Sequence, residues 1–527
     1  MKASLEYTSL DDIDNIVQDS KRSSEERQRR LAHAENPRAE DLALRLKELR
    51  SLYFGLKDHE EEIIDALHQD LHRSRHESLG LELIPLYNNI LALIENLPRY
   101  IEPEKVQESS LLFKLSSVKV ERIALGSVLV ISPFNYPVLL GIDPVAAAIG
   151  AGNSVVWKPS ELAPATAVVM ERIIVSSVNP SWIKVVQGEI PETTRLIENP
   201  NFDKIFYTGS TKVGRIVSQA AAKNLIPVIL ELGGKSPVFI TENLTSADLK
   251  RALKRTFFGA FNNSGQTCVA SDYVLIHESQ LEKARELTSE ILDDYWPDFN
   301  QDTEFSSMIN DQAYKKAIER LENTKGTIFQ PSKVAGELAK RCIPPSVIFN
   351  VTWDDSLMEE ENFSPVLPFI VYHDIDNVME QVVTRHPDPL ALYIFSQNQR
   401  EINKIMNSIK SGGCAINDTI IHVGTMNAPF GGIGQSGQGS YHGKWSYQAF
   451  THERTVLQQR LWMEFLDDTR NPPYNSNKLA ILRTVLENDP GFNRSGSTVW
   501  FPGKLVVVLA VLVALVAVTL RLKLVNF

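Results

Sequence analysis

Short runs of β-branched and aromatic residues alternate with helical segments between residues 118 and 395, and this alternation restricts the chain to few folds. Gly and Pro turns separate the runs, and one helical segment lies near 138–149. Strands that alternate with helices build an α/β architecture with a mainly parallel sheet. Because 527 residues are too many for one hydrophobic core, we expect at least two domains. The predicted strands are 118–123, 126–131, 154–157, 183–186, 204–207, 228–230, 238–240, 273–276, 366–371 and 390–395.

The composition excludes one class of partner and suggests a compartment. The formal net charge is −11, whereas phosphate binding needs a basic surface, so we expect no nucleic-acid partner. Three cysteines, Cys268, Cys342 and Cys414, fit a reducing compartment in which each thiol is either reactive or simply buried. Residues 1–30 are polar and acidic, so neither a signal peptide nor an Arg-rich transit peptide is expected.

Residues 505–520 form an apolar run, LVVVLAVLVALVAVTL, in which only Thr519 is polar. As a helix this run would span about 24 Å, which is less than a bilayer core of about 30 Å. Trp500 and Phe501 can lie at one interface, while Arg521 and Lys523 reach the other. A buried core helix or strand is the alternative. A run with basic flanks and without a polar face favours a membrane anchor that leaves the preceding chain on the side where it was made.

Residues 9–75 have the apolar spacing of helices, and a shorter helical stretch is predicted at 478–486. His68, His72 and His76 also recur every four residues on one helical face. Three histidines can form a metal site, but no carboxylate or cysteine completes this one. We therefore expect a solvated helix face and no metal.

Three polar residues follow predicted strands or turns, where a cleft lies in an α/β sheet. Cys268 follows a turn that contains Gly265, and a thiolate is a strong nucleophile, although most cysteines are buried apolar residues. Glu231 ends the strand 228–230 and could be a general base or an ordinary surface carboxylate. Asn135, in the turn 133–137, could stabilise an oxyanion or be a common turn residue.

Several motifs together resemble the aldehyde dehydrogenase superfamily over about residues 40–460. Five of them occur in the order of that family: PFNYP at 133–137, KPSE at 158–161, FYTGST at 206–211, ELGGKSP at 231–237 and GQTCVA at 265–270. ENFSP at 361–365 is similar to the E-x-F-G-P motif of the family. The segment PFGGIGQSGQGSYHGKWSYQAFTHER at 429–454 is similar to the class 3 and fatty aldehyde dehydrogenase branch, whose microsomal members are membrane-associated.

The resemblance implies a catalytic cycle. Cys268 would attack the aldehyde, while Asn135 and the backbone N–H of Cys268 would hold the oxyanion. Hydride transfer to the nicotinamide would leave a thioester, and Glu231 would activate the water that releases a carboxylic acid. Asn417 matches a further motif position near the active site.

The same resemblance implies a dinucleotide site. Six residues would bind the cofactor: Lys158 and Glu161 at the adenosine ribose, Gly209 and Ser210 near the pyrophosphate at a helix N-terminus, and Glu361 and Phe363 at the nicotinamide ribose and ring. The carboxylate of Glu161 would repel a 2′-phosphate, which favours NAD over NADP, although NADP stays possible.

One departure and two misleading patterns qualify the resemblance. Ser364 stands where the family usually has Gly, which could alter the loop that precedes it. Residues 432–437 fit G-x-G-x-x-G, but they neither follow a clear strand nor open a βαβ unit. Residues 234–236 look like the end of a P-loop, but Ile229 occupies the position of its first glycine.

The resemblance also implies a division of the chain. Residues 1–230 would hold the N-terminal helices and a Rossmann-type NAD-binding domain, with part of a β bridging element near 108–122. Residues 231–417 would form the catalytic domain. Residues 418–460 would return to the cofactor domain and add an oligomerisation element, which implies a homodimer. Residues 461–504 would be a linker with a gating helix, followed by the membrane anchor at 505–520.

The substrate is predicted from the apolar tail. An enzyme held at a membrane has ready access to lipophilic aldehydes, so we expect oxidation of long-chain aliphatic aldehydes to fatty acids, including hexadecenal from sphingolipid breakdown. A short span followed by basic residues favours the mitochondrial outer membrane with a cytosolic catalytic domain; the endoplasmic reticulum and lipid droplets are alternatives.

Three other functions stay open. Glu231 argues against a CoA-acylating dehydrogenase, because a base that activates water serves hydrolysis. A cysteine hydrolase would need a His partner for Cys268, and no His has an obvious spacing for it. A non-catalytic membrane scaffold predicts the loss of Asn135, Glu231 or Cys268, yet all three are present.

Overall fold

The structure is a computed structural model that describes residues 5–107, 113, 116–459, 461, 468–487 and 490–499. The chain divides into two compact units. The larger unit comprises residues 1–101 and 123–452, and the smaller unit comprises residues 102–122 and 453–527. All residues of the candidate site lie in the larger unit, so its two sheets decide where the functional side chains meet.

Several helices of the described chain begin at residues whose side chains cap the helix N-terminus. Ser9 and Asn36 accept backbone N–H bonds through their side chains, and Pro37 occupies the first position of the second helix. The helical prediction for residues 9–75 is confirmed, with breaks at 33–36, 59 and 72–74. The helices are α1 (Leu10–Ala32), α2 (Pro37–Asp58), α3 (Glu60–Leu71), α4 (Arg75–Glu77), α5 (Ile84–Tyr100), α6 (Leu139–Gly150), α7 (Pro164–Ser177), α8 (Ile190–Glu198), α9 (Thr211–Lys223), α10 (Ser246–Phe261), α11 (Leu281–Tyr295), α12 (Asp311–Asn323), α13 (Ile375–Arg385), α14 (Gln399–Ser408), α15 (Lys444–Ala449) and α16 (Ser476–Leu486).

A π-helix at Ser78–Leu83 leads into α5, and several single turns are 3₁₀-helical. The strands are β1 (Glu104–Lys105), β2 (Ser117–Ala124), β3 (Ser127–Ile131), β4 (Ser154–Lys158), β5 (Ile183–Val185), β6 (Lys204–Thr208), β7 (Val228–Glu231), β8 (Pro237–Ile240), β9 (Tyr273–His277), β10 (Thr327–Phe329), β11 (Ser346–Phe349), β12 (Val366–Tyr372), β13 (Ala391–Phe395), β14 (Gly413–Ile416), β15 (Gly437–Gln438) and β16 (Thr451–Gln458). All the predicted strands are confirmed, and the α/β prediction with them.

The first sheet has the strand order β15-β7-β6-β3-β4-β5. The strands from β7 to β5 are parallel, and only β15 is antiparallel to its neighbour. The chain runs from β3 outward through β4 to β5 and then returns to β6 on the other side of β3. In parallel sheets ligands bind at such a reversal point, outside the carboxyl ends of the strands. The loops after β3 and β6 are therefore placed for a ligand.

The second sheet has the order β10-β11-β12-β9-β8-β13-β14. Its strands are parallel except for β10 at one edge. The strands β8 and β13 are buried along their whole length, which explains their nearly continuous apolar sequences. Residues 434–436 form a 3₁₀ turn that is followed by β15, and this segment does not open the βαβ unit that a dinucleotide fingerprint requires.

The smaller unit contains a three-stranded sheet of β1, β2 and β16, in which β1 and β2 are antiparallel. It also contains α16, which confirms the helical stretch predicted at 478–486 and begins at the cap residue Asn475. Among the described residues, no helix is both long enough and apolar enough to cross a membrane. The predicted anchor at 505–520 lies outside the described residues.

Candidate active site

The loop that carries Cys268 follows α10 and turns sharply. Asn263, Ser264 and Gly265 all have positive φ angles, of 52°, 56° and 71°. A Cβ atom at Gly265 would lie only 2.2 Å from the backbone oxygen of Ser364, so this position requires glycine. The turn leaves Cys268 partly exposed, which is the arrangement that a nucleophile needs.

The surroundings of Cys268 disfavour its thiolate form. Burial raises its pKa to about 12, and the charges of Glu361 and Glu231 contribute to the rise. The two carboxylates therefore lie near the sulfur, although they come from different loops. Because the thiolate is the reactive form, attack on a substrate needs a nearby proton acceptor.

Glu231 lies at the carboxyl end of β7, opposite Thr208 of β6 and Gly437 of β15. Its side chain is buried, and neither carboxylate oxygen has a hydrogen-bond partner within the described part of the chain. Burial raises the pKa of Glu231 well above its usual value. A carboxylate in this state binds a proton strongly, which suits a general base.

Asn135 lies in the turn between β3 and α6 and faces the loop of the nucleophile. Its Nδ2 donates a hydrogen bond to the backbone oxygen of Gln266 at 3.0 Å. Its backbone oxygen accepts a bond from Nδ2 of Asn263 at 2.9 Å. The amide is thus anchored through one N–H beside Cys268, and the second N–H of Nδ2 can serve a substrate oxygen.

The predicted adenosine and pyrophosphate residues lie at the carboxyl ends of the first sheet. Lys158, the last residue of β4, is buried and forms an ion pair with Glu161. Gly209 and Ser210 follow β6, and the Ser210 hydroxyl caps α9 by accepting the N–H of Val213 at 3.4 Å. The start of a helix directly after a strand end suits an anionic pyrophosphate.

Glu361 and Phe363 lie on a loop that closes against the glycines after Glu231. A Cβ atom at Gly233 would lie 2.2 Å from Oε2 of Glu361, so only glycine allows this approach. Burial raises the pKa of Glu361 to about 8, helped by the charge of Asp272. Oε1 of Glu361 is buried without a hydrogen-bond partner in the described chain, which leaves it free for a ribose hydroxyl.

A cavity of about 270 Å³ lies between these loops. Phe134 and Leu162 line it from the first sheet, and Glu361 and Phe363 line it from the second. The rings of Phe134 and Phe363 meet edge to face with centroids 5.9 Å apart. Polar side chains such as Lys316 and Arg320 complete the lining, and rings beside an unpartnered carboxylate oxygen suit a nicotinamide riboside.

The substitution of Ser364 for the usual glycine is compatible with this loop. Phe363 has a positive φ of 48°, whereas Ser364 is not among the residues with positive φ. The strained backbone position is therefore the residue before the serine. Asn417 takes a structural role: its side chain accepts the N–H of Ser396 at 3.1 Å and donates to the oxygen of Ser396 at 3.3 Å.

Two buried ion pairs that support the site were missed by the sequence analysis. Lys235 pairs with Asp272 and also donates to the backbone oxygens of Leu357 and Glu360, which holds the loop before Glu361. Arg73 and Glu82 form the second pair, behind Asn135. A charged residue inside an apolar stretch is the available signal for such pairs, and it does not identify the partner. No group of three or more metal-ligating side chains occurs in the part of the chain that the structure describes.

Comparison with known proteins gives the same assignment as the geometry. The model of the aldehyde dehydrogenase family matches residues 11–456. Fatty aldehyde dehydrogenase HFD1 of Saccharomyces cerevisiae is 48% identical over 500 residues, which cover 94% of each chain. The dimeric NADP-preferring aldehyde dehydrogenase of Canis lupus familiaris is 36% identical, covering 85% of this chain and 97% of its own.

Among solved structures, the substrate-bound state of AldH from Staphylococcus aureus superposes with a TM-score of 0.82. It is 34% identical and covers 89% of this chain and 98% of its own. The chain therefore belongs to the aldehyde dehydrogenase family, whose members oxidise aldehydes with NAD or NADP.

Proposed function

We propose that this protein oxidises long-chain aliphatic aldehydes to fatty acids through a thioester on Cys268. The observation that carries the proposal is the similarity to the fatty aldehyde dehydrogenase of Saccharomyces cerevisiae, which extends over 94% of both chains. A second observation concerns the loop after β14. Ile420, Val423 and Phe430 pack against the same hydrophobic core as Cys268, and Ile421 is exposed. An apolar surface of this kind suits an aliphatic chain.

The mechanism begins with removal of the Cys268 thiol proton. The nearby Glu231 carboxylate takes this proton and passes it to bulk water. The thiolate then attacks the carbonyl carbon, and the oxyanion is held by the free Nδ2–H of Asn135 and the backbone N–H of Cys268. Acceptance of the hydride is the chemistry that the nicotinamide supplies when bound. Glu231 then takes a proton from water, and the hydroxide attacks the thioester carbon. The C–S bond breaks, and a carboxylic acid and the Cys268 thiolate result.

Lys158 and Glu161 would hold the adenosine ribose, and Glu361 would hold the nicotinamide ribose. The carboxylate of Glu161 is partly exposed beside Lys158, so it would repel a 2′-phosphate. We therefore propose NAD as the preferred cofactor. A ratio of kcat/KM for NADP over NAD above one would contradict this preference.

The cellular setting is also a proposal. We place the chain at a membrane through residues 505–520, with the mitochondrial outer membrane first and the endoplasmic reticulum and lipid droplets as alternatives. The gating role of the helical stretch 478–486 stays a prediction; Leu479, Ile481 and Leu486 of α16 are exposed. The family relative that is described as dimeric supports a homodimer. Imaging of the full chain beside a version that ends before Lys504 tests the anchor.

A chain-length series of aldehydes tests the substrate class. We expect kcat/KM to rise from short aldehydes to those of about sixteen carbons, including hexadecenal, because each buried methylene contributes about 0.8 kcal/mol. A flat profile or a short-chain optimum would refute the fatty aldehyde assignment. Cys268→Ser should abolish NADH formation; if activity survived, the thioester mechanism would fail.

Product analysis separates this proposal from a CoA-acylating dehydrogenase. The free acid is expected as the product, even when CoA is present, because Glu231 activates water. Acyl-CoA as the main product would support the alternative. If the protein were a non-catalytic scaffold, no aldehyde would lead to NADH formation.

A further inference from the structure

Arg73 and Glu82 form an ion pair behind the turn that carries Asn135. Both side chains have 0% exposure. Arg73 precedes α4, and Glu82 lies in the π-helix Ser78–Leu83, a helix form that is frequent at functional sites. The free energy lost by desolvating two buried charges is about as large as the free energy gained from their attraction. Stability of the fold is therefore a poor explanation for this pair.

The guanidinium joins the two loops of the active site. Nη2 of Arg73 donates to the backbone oxygen of Asn135 and to Oδ1 of Asn263. Nδ2 of Asn263 donates in turn to the oxygen of Asn135 at 2.9 Å and to the oxygen of Gln266 at 3.0 Å. One side chain from the N-terminal helices thus ties the turn of Asn135 to the loop of Cys268.

Glu82 holds Arg73 and the far end of the same turn. One oxygen of its carboxylate accepts a bond from Nη1 of Arg73. The other accepts the backbone N–H groups of Val138 at 2.8 Å and Leu139 at 2.9 Å, at the start of α6. These N–H groups have no partner inside the helix. The turn from Asn135 to Leu139 is therefore fixed at both ends by one buried pair.

We infer that Arg73, oriented by Glu82, is a positioning residue that sets the amide of Asn135 for oxyanion stabilisation. The inference rests on the proposed role of Asn135. Without the guanidinium, the backbone oxygen of Asn135 and Oδ1 of Asn263 each lose one hydrogen-bond donor. The carboxylate of Glu82 also loses its charged partner, so the turn is held less firmly and the donor on Asn135 moves. An oxyanion donor acts only when it lies about 3 Å from the developing charge.

Kinetics of Arg73→Met and Arg73→Lys in the full chain test the inference. We expect Arg73→Met to lower kcat about 10- to 100-fold, since removal of a whole oxyanion donor costs about 100- to 1,000-fold. KM for NAD should stay nearly unchanged, because the lost interaction forms in the transition state. Arg73→Lys keeps the charge and should recover most of kcat. If both variants retained the wild-type kcat, the inference would be overturned.

A double-mutant cycle with Asn135→Ala distinguishes positioning from general loss of packing. If Arg73 acts through Asn135, Arg73→Met or Arg73→Lys causes no further loss of kcat in the Asn135→Ala protein. The same fold-loss in both backgrounds would overturn the inference. An unchanged kcat for Asn135→Ala alone would instead refute the proposed role of Asn135, and with it the basis of the inference.

Arg27→Met is the matched control. Arg27 is also buried and donates to the backbone oxygen of Gly152 at 2.9 Å, but it does not contact the turn of Asn135. We expect this variant to retain kcat while it lowers the thermal unfolding midpoint. A loss of kcat as large as that of Arg73→Met would show that burial of any arginine is sufficient, which would also overturn the inference.

Discussion

Replacing Glu231 by glutamine is expected to stabilise the folded chain while it removes the proposed general base. Glu231 is 3% exposed, and both carboxylate oxygens lack hydrogen-bond partners among the described residues. A buried polar group without a partner costs about 1–3 kcal/mol, and a charged group costs more. Glutamine has nearly the same shape and no charge, so the substitution removes the cost of ionisation and keeps the packing.

The stability gain should depend on pH in one direction. Burial raises the pKa of Glu231 well above 4.5, the value expected in the unfolded chain. A group whose pKa is higher in the folded state than in the unfolded state contributes its full stabilisation at pH values below its unfolded pKa. This stabilisation is lost as the pH rises through its folded pKa. At pH 5 the variant and the wild type should therefore unfold alike. At pH 8 the variant should be more stable by about 1–3 kcal/mol.

Urea unfolding followed by tryptophan fluorescence at both pH values measures the difference. Glu48→Gln is the matched control, since Glu48 is also 3% exposed but accepts the backbone N–H of Asn179 at 2.9 Å. The control should lose stability at pH 8, because a charge-assisted hydrogen bond is weakened. If Glu231→Gln lowers the free energy of unfolding at pH 8, or shifts it equally at both pH values, the argument from a buried unpaired charge is wrong.

Two further predictions follow from the same loops. Gly233→Ala places a Cβ atom 2.2 Å from Oε2 of Glu361, so the carboxylate must move. We expect single-turnover NADH formation to slow by about 10-fold or more. An unchanged rate would show that Glu361 does not position the cofactor. Burial raises the pKa of the Cys268 thiol to about 12. Inactivation by iodoacetamide in the absence of cofactor should therefore become faster from pH 7 to pH 10, because the thiolate is the form that reacts. A rate that stops rising by pH 8 would contradict the raised pKa.

Local sequence signals determined the architecture. The runs Val128–Ile131 and Val228–Leu230 have a strand composition. Asn135 lies in the turn after the first run, and Glu231 ends the strand formed by the second. A residue at the carboxyl end of a parallel strand lies in a cleft whatever the details of packing. The positions of Asn135 and Glu231 relative to their strands could therefore be predicted. Six strands were not predicted from the sequence: β1, β10, β11, β14, β15 and β16. Most of them are short, and all of them depend on pairing with neighbours.

Only the tertiary structure determined which functional side chains are in contact and how their surroundings shift their pKa values. Arg73 contacts Asn263 across 190 residues of sequence, and no local pattern encodes such a contact. The raised pKa values of Cys268 and Glu231 arise first from burial, which depends on how the two sheets and their loops pack. Sequence thus determined the chemistry available at each strand end. Packing determined the solvent exposure and the neighbours of each group, because burial and long-range contacts exist only in the folded chain.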